Sequence, residues 1–255
     1  HIFNKNDFSY LTSIGNFGEG PEEITVMGCL AIDEAHHQLY VSDHAKQKIF
    51  SYDMDSVMVD SLYKPQVKTA MNETLFPSEY QYINDTLSIA VLIKPTSTST
   101  FNQFLGRWNM NTGEMIPMKY THPDIQKKRI TFAASEKAGI YVECYTRHDL
   151  MTICSLDGEL LYNIYGPDWD GGNGNKLQSF GTVMIGNDKI FVSYCGEDYA
   201  RDSFPTKILV FDLEGNYLKT LETGYKISDC CYDSFNNRII LSLNDVVQFA
   251  YLDID

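Results

Sequence analysis

The chain has 255 residues, with 20 basic against 34 acidic side chains and a formal charge of −14. That balance argues against a phosphate backbone as partner, because nucleic-acid binders cluster Lys and Arg, and a chain that is 44% hydrophobic and 13% aromatic is not wholly disordered. The longest apolar stretch, Leu87–Ile93 interrupted by Ser88, is far short of the ~20 residues a membrane-spanning helix needs.

Residues His1–Asp7 hold no charged segment followed by an apolar run and so predict no secretory signal. They read as a strand entering a turn at Asn4–Asp7. Beyond it the dominant signal is period-two alternation in short runs, separated by Gly, Asn, Asp and Pro turns, with no long amphipathic helix. The runs repeat. A first unit takes Phe8–Ile14, Met27–Asp33, Gln38–Ser42 and Lys48–Asp53. A second starts at Asp60–Tyr63 and continues through Tyr80–Ile83 and Thr86–Ile93 to Phe104–Met110. The third starts at Glu114–Ile116 and takes Arg129–Ala134, Gly139–Tyr145 and Met151–Leu156. The fourth runs from Glu159–Tyr162 through Phe180–Ile185 and Lys189–Tyr194 to Lys207–Asp212. The fifth runs from Asn216–Lys219 through Ile227–Asp233 and Arg238–Leu243 to Val246–Leu252. Turns at Asn109–Met115, Ser155–Leu160 and Asp212–Tyr217 place Gly where a positive φ costs little.

Five such units predict an all-β chain, a β-propeller of four-stranded antiparallel blades forming a single domain over residues 1–255. A lone blade cannot cover both faces of its sheet, so neighbours must stack. The spare strand Phe8–Ile14 is expected to pair with the strand ending at Leu252–Asp253 and close the ring.

The segment Phe8–Glu23, with its Ile-Gly-x-x-Gly-x-Gly-Pro-x-Glu core, resembles the TolB-like/NHL-like six-bladed β-propellers of Bacteroides-type bacteria. Ala31–Asp53 is similar to an NHL-type repeat. The chain departs from that pattern in showing five units rather than six. The resemblance implies an exported protein of the periplasm or outer membrane, tethered by a lipid anchor upstream of His1. It brings no agreed reaction and no catalytic residues.

None of the six cysteines lies in zinc-ligand spacing. They read as buried free thiols, with a Cys144–Cys154 bridge as the alternative. Cys230 and Cys231 should point to opposite faces of one strand. His36 and His37 lie at one end of a strand and His44 at the other, which disfavours a shared metal. Gly15–Gly20 has the spacing GxxGxG, but no Lys-Ser/Thr follows, so tight turns explain it better than a phosphate loop. No Ser stands in a GxSxG elbow. Asp55–Val57, Asp60–Leu62 and Asp85–Leu87 resemble the Asp-Ser/Thr-aliphatic acceptor of O-glycosylation in Bacteroides-type bacteria.

Propeller ligands meet loops held rigid by the blades. The longest loops belong to the fourth unit, Gly166–Lys176 and Gly196–Lys207. The first offers Asp168 and Asp170 as hard oxygen ligands for Ca²⁺, beside Trp169 as an aromatic contact. Arg147 and His148, which follow the second strand of the third unit, are expected to approach Asp198 and Arg201 of the fourth. The expected ligand contacts are therefore Arg147, Trp169, Asp198 and Arg201. The reading is a binding module for a glycan, peptide, protein or small molecule, with no resident cofactor. The alternative is a glycan or lactone lyase or hydrolase that uses His148 with Asp198, assisted by Ca²⁺.

Overall fold

The computed structural model describes residues 1–60, 62–173, 177–198 and 203–254. Its strands form four four-stranded antiparallel sheets, one three-stranded sheet and a two-stranded hairpin. The five sheets are the blades of an all-β propeller. They fall into two compact units, residues 1–118 and 119–255.

The first unit opens with a hairpin, β1 (Ile2–Phe3) against β2 (Tyr10–Thr12). The first sheet joins β3 (Met27–Asp33), β4 (Gln38–Asp43), β5 (Lys48–Asp53) and β6 (Gln66–Ala70). The second joins β7 (Phe76–Asn84), β8 (Leu87–Pro95), β9 (Phe101–Trp108) and β10 (Met115–Pro117). Alternation decides how they stack. Ala31, Tyr40 and Ile49 on one face of the first sheet pack against Tyr80, Ala90, Leu92 and Trp108 of the second. Val41, Phe50 and Tyr52 on the other face gather Ile24, Val57 and the partly buried Ile2 and Ile14.

The second unit holds β11 (Ile130–Ser135), β12 (Ile140–Tyr145), β13 (Leu150–Ser155) and β14 (Leu160–Tyr165) as one sheet. A second sheet takes β15 (Leu177–Gly186), β16 (Lys189–Asp198), β17 (Lys207–Asp212) and β18 (Tyr217–Glu222). The third takes β19 (Ile227–Asp233), β20 (Arg238–Leu243) and β21 (Phe249–Asp253). The middle sheet is buried on both faces. Ile190 and Val192 of β16 meet Val142, Cys144 and Ile153 on one side, while Phe191 meets Cys230, Ile239 and Leu241 on the other. A central strand covered on both faces reads as a nearly continuous apolar run, which is how "IFV" appears in the sequence.

The repeated strand ends share a device. Asp33, Ser135 and Asp233 each close the hairpin that follows. Asp33 accepts from the His36 N–H at 3.3 Å, Ser135 from the Ala138 N–H at 3.1 Å, and Asp233 from Asn236 Nδ2 at 2.7 Å and Arg238 Nε at 3.0 Å. The three glycine turns form as expected, with Gly113, Gly158 and Gly215 at φ of 76°, 86° and 84°.

Three expectations are corrected. Tyr10–Thr12 does not pair with the C-terminal strand. It pairs with Ile2–Phe3, while among the described residues β21 pairs only with β20. The reason is local. Asn4 N–H donates to Ser9 O and Phe8 N–H to Asn4 O, so a short loop closes the hairpin, and short loops carry little closure entropy. Strand phase also differs, because Met115–Pro117, Leu160–Tyr165 and Tyr217–Glu222 each complete the sheet before them rather than opening the next. Finally, the strand expected over Asp60–Tyr63 is not formed by Asp60, Leu62 or Tyr63. Asp53 caps a short helix, α1 (Met54–Val59), by accepting the Ser56 N–H, and the fourth strand starts only at Gln66. One proposed acceptor, Ser56, sits in that helix; Ser61 lies outside the described residues.

The cysteines are all free. Cys144 lies opposite Met151 and Cys154 opposite Tyr141, so the two thiols point to opposite faces and cannot bridge. Cys230 is buried and Cys231 exposed, as the strand period requires, so not every thiol is buried.

Candidate functional site

The strongest concentration of chemistry among the described residues lies at one end of the β11–β14 sheet. It starts from the tight connection between β12 and β13, where Leu150 N–H donates to His148 O at 2.8 Å. Asp149 follows the turn and is 3% exposed. Its carboxylate accepts the Asp168 N–H at 3.0 Å, and its backbone carbonyl accepts the Gly166 N–H at 2.8 Å. A buried carboxylate thus ties down the segment that leaves β14. Gly166 is required there, since a Cβ would lie 2.0 Å from Asp149 Oδ2. Burial pushes the Asp149 carboxyl above its ordinary pKa, against the opposing pull of the Asp168 N–H.

The anchored segment lays Trp169 over two histidines and a tyrosine. Its ring centroid is 5.4 Å from His122, 6.1 Å from His148 and 5.0 Å from Tyr165. His122 comes from the stretch between β10 and β11 and is 2% exposed. The Asp124 N–H donates to His122 Nδ1 at 3.3 Å, which makes Nδ1 an acceptor and leaves the proton on Nε2, 3.1 Å from the Tyr165 hydroxyl. Gly172 lies close over the same stretch, where a Cβ would come within 2.5 Å of the Asp124 carbonyl oxygen.

His148 is 7% exposed, and its Nδ1 has no hydrogen-bond partner. The nearest carboxylate oxygen, Asp170 Oδ1, stands 3.9 Å away. Burial depresses both imidazoles below the usual histidine value; for His148 the nearby Asp170 opposes this and His122 adds to it. Tyr165, Asp168 and Asp170 are exposed and Trp169 is half-buried. The result is an aromatic cluster, with the Trp169 and Tyr165 rings tilted at 51° to each other, bordered by two solvent-facing carboxylates and backed by buried imidazoles of lowered pKa.

Behind it a second polar set is buried. Lys128 Nζ lies 2.5 Å from Glu143 Oε1, and the Tyr145 hydroxyl donates to Glu143 Oε2 at 3.2 Å. The Tyr145 ring meets His148 at 6.3 Å. This pair holds the end of β12 and so fixes the turn that carries His148.

The residues singled out by sequence divide accordingly. His148, Trp169 and Asp170 come together, and Asp168 lies on the same loop. Arg147 is half-exposed beside His148. Asp198 ends β16, with its backbone paired to Leu177. Its side chain and Arg201 lie outside the described residues. Among the described residues no three His, Cys, Asp or Glu side chains are grouped to hold a metal ion. His122 and Tyr165 were missed. The signal for them was the aromatic, Pro-marked stretch "YTHPDI" and the tyrosine that ends β14.

The other sequence motifs are structural. Asp33 gathers His36 Nδ1 at 2.8 Å and the hydroxyls of Tyr40 and Tyr82, both at 3.1 Å. In the Gly15–Gly20 loop the Gly20 N–H donates to Glu23 of the same loop, and Lys46 Nζ donates to the Gly20 and Glu23 carbonyls. The loop carries its own anion, so it is no phosphate cradle.

Residues 1–145 match the family DUF5128, described as a 6-bladed beta-propeller. No curated protein matches the chain. Among solved structures, a member of the DUF4221 family from Bacteroides vulgatus is similar at a TM-score of 0.63 and 9% identity, over 99% of this chain and 85% of that one. The extracellular domain of the putative one component system BT4673 from B. thetaiotaomicron is similar at 0.58 and 14% identity, over 92% of this chain. This chain spans 28% of that protein's length. A protein of unknown function from Bacteroides caccae gives 0.51 at 11% identity, over 89% and 77% of the two chains. Among the described residues no helix is long and apolar enough to cross a membrane.

Proposed function

The chain belongs to the DUF5128 family of 6-bladed β-propellers, and we propose that it is an exported recognition module that binds a neutral glycan on the Trp169–Tyr165 face. The observation that carries this reading is the arrangement itself. An aromatic surface is held rigidly by a buried carboxylate, and Asp168 and Asp170 stand at its border. Sugar rings present C–H faces that stack on aromatic rings, and their hydroxyls donate to carboxylates. A chain of charge −14 disfavours an anionic ligand. That the similar structures include the extracellular part of a putative one component system supports a role at the cell surface, where a ligand is sensed or captured.

Isothermal titration with a panel of neutral oligosaccharides tests the reading. Binding to at least one is expected, and it should be lost in Tyr165→Ala and weakened in Asp168→Asn. Absence of binding across the panel, or equal binding by Tyr165→Ala, refutes it. A second reading, glycan or lactone cleavage, draws on one feature. His148 Nδ1 is unpaired 3.9 Å from Asp170, as a base awaiting a substrate proton would be. Turnover that survives His148→Ala removes that reading.

A further inference from the structure

The turn that carries His122 has a place for one ring proton and not for two. Residues His122, Pro123, Asp124 and Ile125 form it, with the Ile125 N–H donating to the His122 carbonyl at 3.3 Å and Pro123 at the position that favours its fixed φ. Ile125 is buried and anchors the far end. The imidazole folds back over its own turn, where Nδ1 accepts the Asp124 N–H at 3.3 Å and Nε2 stands 3.1 Å from the Tyr165 hydroxyl. A second proton has to sit on Nδ1. Both nitrogens of an imidazolium are donors, so that proton would face a backbone N–H and the Asp124 bond would be lost. His148 has no such lock, because its Nδ1 has no bond to lose.

The loop of the site rests on this turn. The Trp169 ring is 5.4 Å from the His122 ring, and Gly172 lies so close that a Cβ would come within 2.5 Å of the Asp124 carbonyl oxygen. The Asp124 peptide that must move is therefore the one the loop touches. A charged His122 finds little compensation in place, since it is 2% exposed. The Asp124 carboxylate favours the charge, but its residue is exposed, as are Asp168 and Asp170 on the loop. Asp149, beneath the loop, is raised by burial and so is a poorer anion. His148, under the same indole, would add a second positive charge. Burial outweighs Asp124 and holds the His122 ring below the usual histidine pKa.

We propose that His122 is an acid switch for the Trp169 face: a proton taken from solvent breaks the Asp124 bond, lifts the loop of residues 166–173 with Trp169, and releases the bound glycan. The release rests on the glycan reading above; the opening does not.

Fluorine NMR on the full chain labelled with fluorotryptophan tests the opening without a ligand. Trp108 and Trp169 give one resonance each, and Trp108, 1% exposed, reports the core. Between about pH 8 and 4 the Trp169 resonance should move toward its solvent-exposed position with the same midpoint as the His122 ring protons, while Trp108 holds. His122→Asn keeps an acceptor for the N–H two residues on but takes no proton, so it should abolish the step. His148→Asn should keep it. For a neutral oligosaccharide that binds the parent, affinity should fall about tenfold per pH unit below that midpoint, and His122→Asn should lose that slope. The switch is overturned if Trp169 holds its position while His122 titrates, or if His122 stays neutral throughout. It is equally overturned if the step survives in His122→Asn, is lost in His148→Asn, or is accompanied by Trp108, which would mean global unfolding. A binder whose affinity ignores an intact step refutes the release. A panel without any binder, beside an intact step, refutes the glycan reading and not the opening.

Discussion

Replacing Trp169 by Ala probes the site through a property unrelated to any ligand. In the parent, His122 is 2% and His148 7% exposed, and burial holds both imidazoles below their ordinary pKa. The Trp169 ring lies over both, so its removal admits water to each, and both should titrate closer to the ordinary histidine value of about 6.5. The stability cost follows from burial. Truncating a fully buried Trp to Ala costs about 3–5 kcal/mol, and half-burial reduces this to about 2 kcal/mol, with the three ring contacts included. For a chain of this size that lowers the melting temperature by about 4–8 °C. Histidine ring resonances followed by NMR from pH 4 to 8, with calorimetry on the same samples, measure both effects. Trp169→Phe keeps a ring over the imidazoles and should restore most of each. If both histidines titrate in the Ala variant as in the parent, Trp169 does not cover them and the site as described is wrong.

Three further outcomes follow from the same physics. Both histidines are depressed on folding, so the unfolded chain binds more protons below pH 6.5. Stability should be full above about pH 6.5 and fall as pH drops toward the folded values, by at most ~1.4 kcal/mol per pH unit for each histidine, with raised Asp149 working in the opposite direction; urea titrations that are flat from pH 7 to 5 would contradict this. Asp43→Asn should cost about 2–3 kcal/mol by chemical denaturation, because the buried carboxylate accepts the Thr25, Val26, Ala45 and Lys46 N–H groups and an amide cannot accept at both positions; a loss below about 0.5 kcal/mol would mean these bonds are not held in solution. Lys128→Met should cost about 3–5 kcal/mol by stranding buried Glu143, and the double variant Lys128→Met/Glu143→Leu should recover most of it; a double variant as unstable as the single one excludes a stranded charge as the cause.

Strands were legible wherever one face is buried and one is not. The first sheet's β3 to β5 start and end within a residue of where alternation places them, and glycine marked three turns because a positive φ costs other residues more. Pairing was not legible in the same way. Alternation identifies a strand's buried face but not the edge it joins, so Met115–Pro117, Leu160–Tyr165, Tyr217–Glu222 and Tyr10–Thr12 were given the wrong neighbours. Helix α1 was missed because its signal is one capping side chain, Asp53, and six residues are too few to display a period. In the site, Trp169 and His148 stood out as rare residues in long loops. His122 did not, since only the fold brings a residue forty-seven positions before Trp169 under its ring.

Asp43 and Asp149 occupy equivalent positions in two sheets and differ in how they are held. Both are buried carboxylates at the turn between the second and third strands of a sheet, and each accepts N–H groups from a segment outside its own hairpin. The backbone donors hold Asp43 below the ordinary carboxylate pKa despite burial, so that turn is tied by a strongly favoured anion. At Asp149 burial prevails and the carboxyl is raised. This second turn is the one beside Trp169, the two depressed histidines and exposed Tyr165. The same position in two sheets thus carries a buried carboxylate whose protonation is set by the balance between burial and the number of backbone donors, four at Asp43 and one at Asp149.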